Sequence, residues 1–139
     1  MKNVTLKSML LALVVIIGSS VCFSATAQSK SAAPKVYVVI NKANWCPVCQ
    51  ANGARVMKDV LPACKNLKVK FLANDLTDAA TIAKSTAELK KNNIYNSVKE
   101  TKSTGVILLV DAKTKKIIKQ ISVAKPSEEI IKEITAAQS

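Results

Sequence analysis

The sequence predicts an α/β domain built around a mixed β-sheet. Apolar runs of strand length alternate with helix-forming segments in the order β-α-β-α-β-β-α. The alternating part implies parallel strands with helical crossovers, and a closing hairpin adds an antiparallel edge. At the junction of the first strand and first helix stands Trp45-Cys46-Pro47-Val48-Cys49.

Each element has a local reason. Residues 35–40, with Val36-Tyr37-Val38-Val39-Ile40, form an uninterrupted apolar run bounded by polar residues, as a buried strand requires. Residues 41–44 read as a loop into the cysteine motif. Pro47 suits a first helical position, where no N–H is needed, and predicts a helix over 47–61. Gly53 weakens that helix, and Pro62 marks its end or a new turn. Residues 69–73 read as a second strand. Thr77 or Asp78 caps a helix over 79–91, with Ile82, Leu89 and alanines on its apolar side. Residues 92–104 carry no clear period, although Tyr95 and Val98 read as core. Residues 106–110 are a strongly apolar strand, 111–115 a hairpin turn, and 117–123 the returning strand. Ser127 reads as the cap of a last helix, with Glu128 and Glu129 in its first turn and Ile130, Ile131 and Ile134 facing inward.

The beginning of the chain reads as an export signal. Lys2 and Lys7 give a basic start, residues 9–17 an unbroken apolar core, and Ala25-Thr26-Ala27 a cleavage site of the A-x-A kind. Residues 1–27 are therefore expected to be removed. The alternatives are an uncleaved anchor over 8–28 or a lipid on Cys22, but the second half of the stretch is small and polar and Ser19-Ser20-Val21 is a poor lipid-attachment context. Residues 28–34 read as a flexible leader and 35–139 as one domain, large enough to bury a core without staples. The expected location is periplasmic or secreted, with no stable membrane insertion after cleavage.

The formal net charge is +12, or +10 without Lys2 and Lys7. The lysines are scattered, which describes a solvated surface; with few aromatics, it argues against a nucleic-acid partner. The chain contains no histidine, which excludes Ser-His and Cys-His nucleophiles and His-ligated metals. Without Cys22, three cysteines remain: Cys46, Cys49 and Cys64.

Cysteines three apart at a helix start suit dithiol chemistry. Positions i and i+3 share a helix face, so their sulfurs can close a disulfide. The unpaired N–H groups and positive dipole end of the first turn favour a thiolate on Cys46. Cys46 is thus expected to be the exposed nucleophile and Cys49 the buried resolving thiol. Trp45 is expected to pack beside the dithiol or in the core. Lys42 reads as a solvated loop residue that also sits within four residues of Cys46. Cys64 reads as a small buried hydrophobe. Its alternatives are a third redox thiol, an intermolecular bridge or a third ligand to a soft metal.

This order of elements, with Trp-Cys-x-x-Cys between first strand and first helix, resembles the thioredoxin superfamily. The likeness extends from Lys35 to about Ala137 and includes the closing hairpin and the segment 124–134, similar to the family's capped terminal helix. It implies a three-layer α/β/α sandwich and an exported thiol–disulfide oxidoreductase with Cys46 and Cys49 as catalytic residues. Trp45, Pro47, Thr104 and Gly105 would support them. No cofactor is implied; the partners are protein clients with disulfides or dithiols and a protein that recycles the dithiol. Two departures stand out. The family carries a buried acid six residues before the first cysteine, where this chain has Ile40. It also carries a cis-proline just before the hairpin, where this chain has Thr104-Gly105. These departures motivate a second hypothesis, a Cu(I)-type soft-metal protein using Cys46, Cys49 and Cys64. A third is a binding module of the same fold with a vestigial dithiol.

Overall fold

A computed structural model of the protein describes residues 33–139. The export signal and most of the leader expected at 28–34 lie outside the described residues. The elements are β1 (Val36–Lys42), α1 (Pro47–Arg55), a π-helical segment (Val56–Val60), α2 (Leu61–Ala63), β2 (Val69–Asp75), α3 (Ala79–Lys91), α4 (Tyr95–Val98), β3 (Val106–Asp111), β4 (Ile117–Ser122) and α5 (Ser127–Ala137).

The sheet order is β2-β1-β3-β4, with β1 central. β2 runs parallel to β1, β3 antiparallel to β1, and β4 antiparallel to β3. Successive β1 side chains enter opposite faces, as the period of two requires. Val36 and Val38 join a core with Val56, Val60, Cys64, Ile130 and Ile134, beneath the π segment and α5. Tyr37 and Val39 join a second core with Leu72, Leu89, Ile94 and Val98, beneath α3 and α4. A mixed sheet with a core on each face is the three-layer α/β/α fold of the thioredoxin-like expectation.

The direction of β3 corrects the parallel reading. β2 ends at the same end of the sheet as β1, and α3 carries the chain away from it. Ser97 Oγ, just beyond α3, donates to the Lys115 carbonyl at that distant end. Residues 99–105 then travel back, so Val106 begins opposite Asn41 and β3 must run antiparallel. The stretch with no sequence period is therefore what returns the chain to the cysteine motif.

Three smaller differences have physical causes. β1 and β2 continue past their apolar runs because Asn41 and Lys42 pair with Asn74 and Asp75. The first helical stretch does not stop at Pro62. A π turn intervenes, with the Leu61 N–H donating to the Val56 carbonyl, and this wider register takes the helix across the proline. Pro126, with its extended backbone (φ −53°, ψ 146°), is the cap residue of α5, and Ser127 is its first helical residue, whose hydroxyl accepts from Arg55 Nη1 at 2.8 Å. Asp78 is the cap of α3, in a reciprocal box with Thr81.

Candidate active site

Cys46 occupies the N-cap of α1 and Pro47 follows it in the first turn. The extended backbone at Cys46 (φ −85°, ψ 114°) turns its sulfur back over the helix start, where Sγ accepts the Cys49 N–H at 3.2 Å. A sulfur at this position answers one of the orphan donors of the first turn.

The strand–loop junction before β3 completes the site. Gly105 has φ +74°, in the left-handed region that glycine alone adopts without strain. A Cβ placed there would stand 3.1 Å from Val48 Cγ1 and 3.6 Å from Cys46 Sγ, so the backbone of Gly105 lies directly against the motif. Its N–H donates to the Asn41 carbonyl at 2.8 Å, and its own carbonyl accepts from Val123 at 2.9 Å. Gly105, Cys46 and Cys49 are thus brought together, with Thr104 next to them along the chain. Both main-chain groups of Gly105 are already used, so Gly105 cannot supply the client-pairing edge that a cis-proline loop would imply.

The two thiols are driven apart in acidity. Burial opposes ionisation of Cys46, but hydrogen bonds from the Cys49 thiol, the Thr104 hydroxyl and the N–H groups of Cys49 and Val48 outweigh it. Together they hold Cys46 below the ordinary thiol range. Burial raises Cys49, and its hydrogen bond to Cys46 and the charge there raise it further. The order of acidity matches the expected roles, but the order of exposure does not. Only 4% of Cys46 is accessible, whereas Cys49 is half-buried. Val48 and Gly105 lie against one another beside Cys46, while Cys49 lines a cavity.

That cavity, of about 450 Å³, is half-open and largely apolar. Ile40, Val56, Met57, Leu61 and Phe71 form its walls, and no carboxylate lines it. Ile40 therefore leaves the wall beside Cys49 without the acid that the family carries.

Other expectations change. Trp45 is not core: it is 59% exposed, and its Nε1 donates to the Thr77 carbonyl at 3.3 Å. Lys42 is not a free positive charge, because it pairs with Asp75. Cys64 is buried in the core cluster, and burial raises its thiol. Among the described residues no three His, Cys, Asp or Glu side chains converge as a metal site. The three-cysteine metal set is therefore not assembled: Cys64 lies beyond the π turn, committed to the packing between the sheet and α5. Asn41 and Asn74, by contrast, were not singled out by sequence. Both are buried at the strand ends facing the motif, and an Asn after an apolar run reads simply as the start of a loop.

No family model matches the sequence, and no curated protein does. The structure is similar to the crystal structure of Trxlp from Edwardsiella tarda EIB202, with 16% sequence identity over 76% of this chain and 86% of that one, at a TM-score of 0.43. The site geometry, not this likeness, carries the functional argument.

Proposed function

We propose that the protein is an exported thiol–disulfide oxidoreductase of the thioredoxin kind, acting through Cys46 and Cys49. The observation that carries the reading is the paired thiol geometry: a capping Cys46 sulfur that accepts the Cys49 N–H and is held below the ordinary thiol range, with Cys49 three residues on and raised above it.

The Cys46 thiolate attacks one sulfur of a client disulfide. The client S–S bond breaks, one client sulfur leaves as a thiolate and takes a proton from water, and a mixed disulfide remains at Cys46. Cys49 gives up its proton and attacks Cys46 Sγ. The second client thiolate departs, and a Cys46–Cys49 disulfide forms. Two electrons pass to the client. The reverse sequence oxidises a client dithiol. No carboxylate lines the cavity beside Cys49, so the Cys49 proton passes to water or to another group. No organic cofactor takes part, and a second redox protein returns the pair to its working state.

The test is trapping. Cys49→Ala removes the intramolecular exit, so non-reducing gels of the exported fraction should show thiol-reversible adducts. Cys46→Ala should show few. Equal patterns in the two variants would refute the mechanism.

A further inference from the structure

The end of β1 carries an unusual investment of hydrogen bonds. Asn41 is fully buried, and burying an amide is unfavourable unless all its groups are paired. Here they are. Its Nδ2 donates to the carbonyls of Thr101 at 3.0 Å and Ser103 at 3.3 Å. Its Oδ1 accepts from Asn74 Nδ2 at 3.1 Å, and its main-chain carbonyl accepts the Gly105 N–H. Three of these four bonds hold the stretch 101–105. That stretch is otherwise weakly anchored: Lys102 and Ser103 are exposed, and Thr101 and Thr104 are only half-buried. An apolar side chain would suit a buried strand position better, but could not grip two loop carbonyls.

The consequence reaches the dithiol, because the same stretch ends on Gly105, which lies against Cys46. We propose that Asn41 is a positioning residue for the dithiol: it clamps the 101–105 loop so that Gly105 stays against the Cys46 sulfur and the adjoining Thr104 hydroxyl stays within its reach. The inference rests on the redox reading above. Gly105 lies against the reacting atom with Thr104 adjoining it, and Asn41 acts through them. Competing charges are accounted for. Cys49 faces Cys46 from α1, Lys42 of β1 is paired with Asp75 of β2, and Lys99, Glu100 and Lys102 on the loop are exposed to solvent.

The experiment is the pH profile of Cys46 alkylation in the full chain, read by mass spectrometry, for wild type, Thr104→Val, Asn41→Ala and the double variant. The plateau rate at high pH is the internal reference. Below the wild-type midpoint, each single variant should react about tenfold more slowly, as expected for loss of a hydrogen bond to an ionised group. The double variant should be no slower than Thr104→Val alone, since both changes remove the same contact. Additive slowing, or an unmoved midpoint in Asn41→Ala, overturns the proposal. Should Asn41→Ala fail to fold, Asn41→Ser takes its place under the same criteria, its hydroxyl being too short to grip both carbonyls. The redox reading fails separately, in the client-trapping experiment. A wild-type Cys46 that titrates in the ordinary thiol range overturns the positioning role as well.

Discussion

Gly105 is the position where the resemblance would place a proline or its neighbour, and the structure makes a quantitative statement about it. Replacing Gly105 with alanine keeps the N–H bond to Asn41 but forces a side chain into φ +74°. That conformation costs roughly 1–2 kcal/mol for an L-residue with a Cβ. The new methyl also meets Val48 Cγ1 at 3.1 Å and Val48 Cβ at 3.2 Å, tighter than ordinary contact. Val48 is 42% exposed, so it can yield toward solvent and keep the steric share small. The expected destabilisation is therefore about 1–2 kcal/mol, a fall in Tm on the order of 4–8 °C per kcal/mol for a domain of this size. Gly105→Pro should be worse by more than about 3 kcal/mol, because the ring fixes φ near −65° and deletes the N–H. Thermal unfolding of both variants, alone and with Val48→Ala, separates the causes. Val48→Ala should recover only the steric part. An alanine variant as stable as wild type, or one fully rescued by Val48→Ala, would refute the argument that backbone conformation dominates.

Further outcomes follow from the same contacts. Val48→Ala should raise the plateau rate of Cys46 alkylation several-fold by uncovering the sulfur; an unchanged rate would mean that Val48 does not gate it. Arg55 donates to Ser127 Oγ and to the carbonyls of Val123 at 2.7 Å and Lys125 at 2.9 Å, tying α1 to the start of α5, so Arg55→Ala should cost about 2 kcal/mol in urea unfolding. Arg55→Lys should recover little of that, since one ammonium cannot reproduce the planar fork. Asp75 offers a pH test. Burial opposes its ionisation, but Lys42 and Thr77 outweigh burial and hold the carboxyl below its usual range. A depressed folded-state pKa contributes stability that is present above the unfolded carboxylate range and is lost as pH falls through the folded value. Wild type should thus exceed Asp75→Asn in urea midpoint near neutrality, and the gap should shrink on acidification. A gap that persists below the folded pKa would assign it to packing.

The elements whose side chains face one environment were legible from sequence. The 36–40 run, the 106–110 run and the 79–91 helix are apolar or periodic enough to declare themselves, and the Cys-x-x-Cys at a helix start carries its own chemistry. What was hidden depends on distant partners. Asn41 and Asn74 are polar residues whose burial makes sense only when the returning loop is in place. The direction of β3 depends on how far residues 92–104 travel, and no local propensity encodes that distance. The exposure of the two thiols was misjudged for the same reason: helix geometry gives their order of acidity, but the covering of Cys46 comes from Gly105, more than fifty residues downstream.

The acidity split has one more property that bears on direction and on conditions. The influences holding Cys46 low are hydrogen bonds from neutral groups: a thiol, a hydroxyl and two backbone amides. Neutral donors at contact distance act through local dipoles, whereas a lysine pair would act through a field that salt screens over about 8–10 Å. The Cys46 midpoint should therefore hold steady as ionic strength rises, despite the strongly basic chain around it. A stabilised thiolate stabilises the dithiol form and so favours passing the disulfide on to a client, the oxidising direction. If the pair exchanges disulfides as proposed, a change that loosens residues 101–105 should shift it toward the reducing direction without altering either cysteine, and an unmoved dithiol–disulfide equilibrium against glutathione would refute the link.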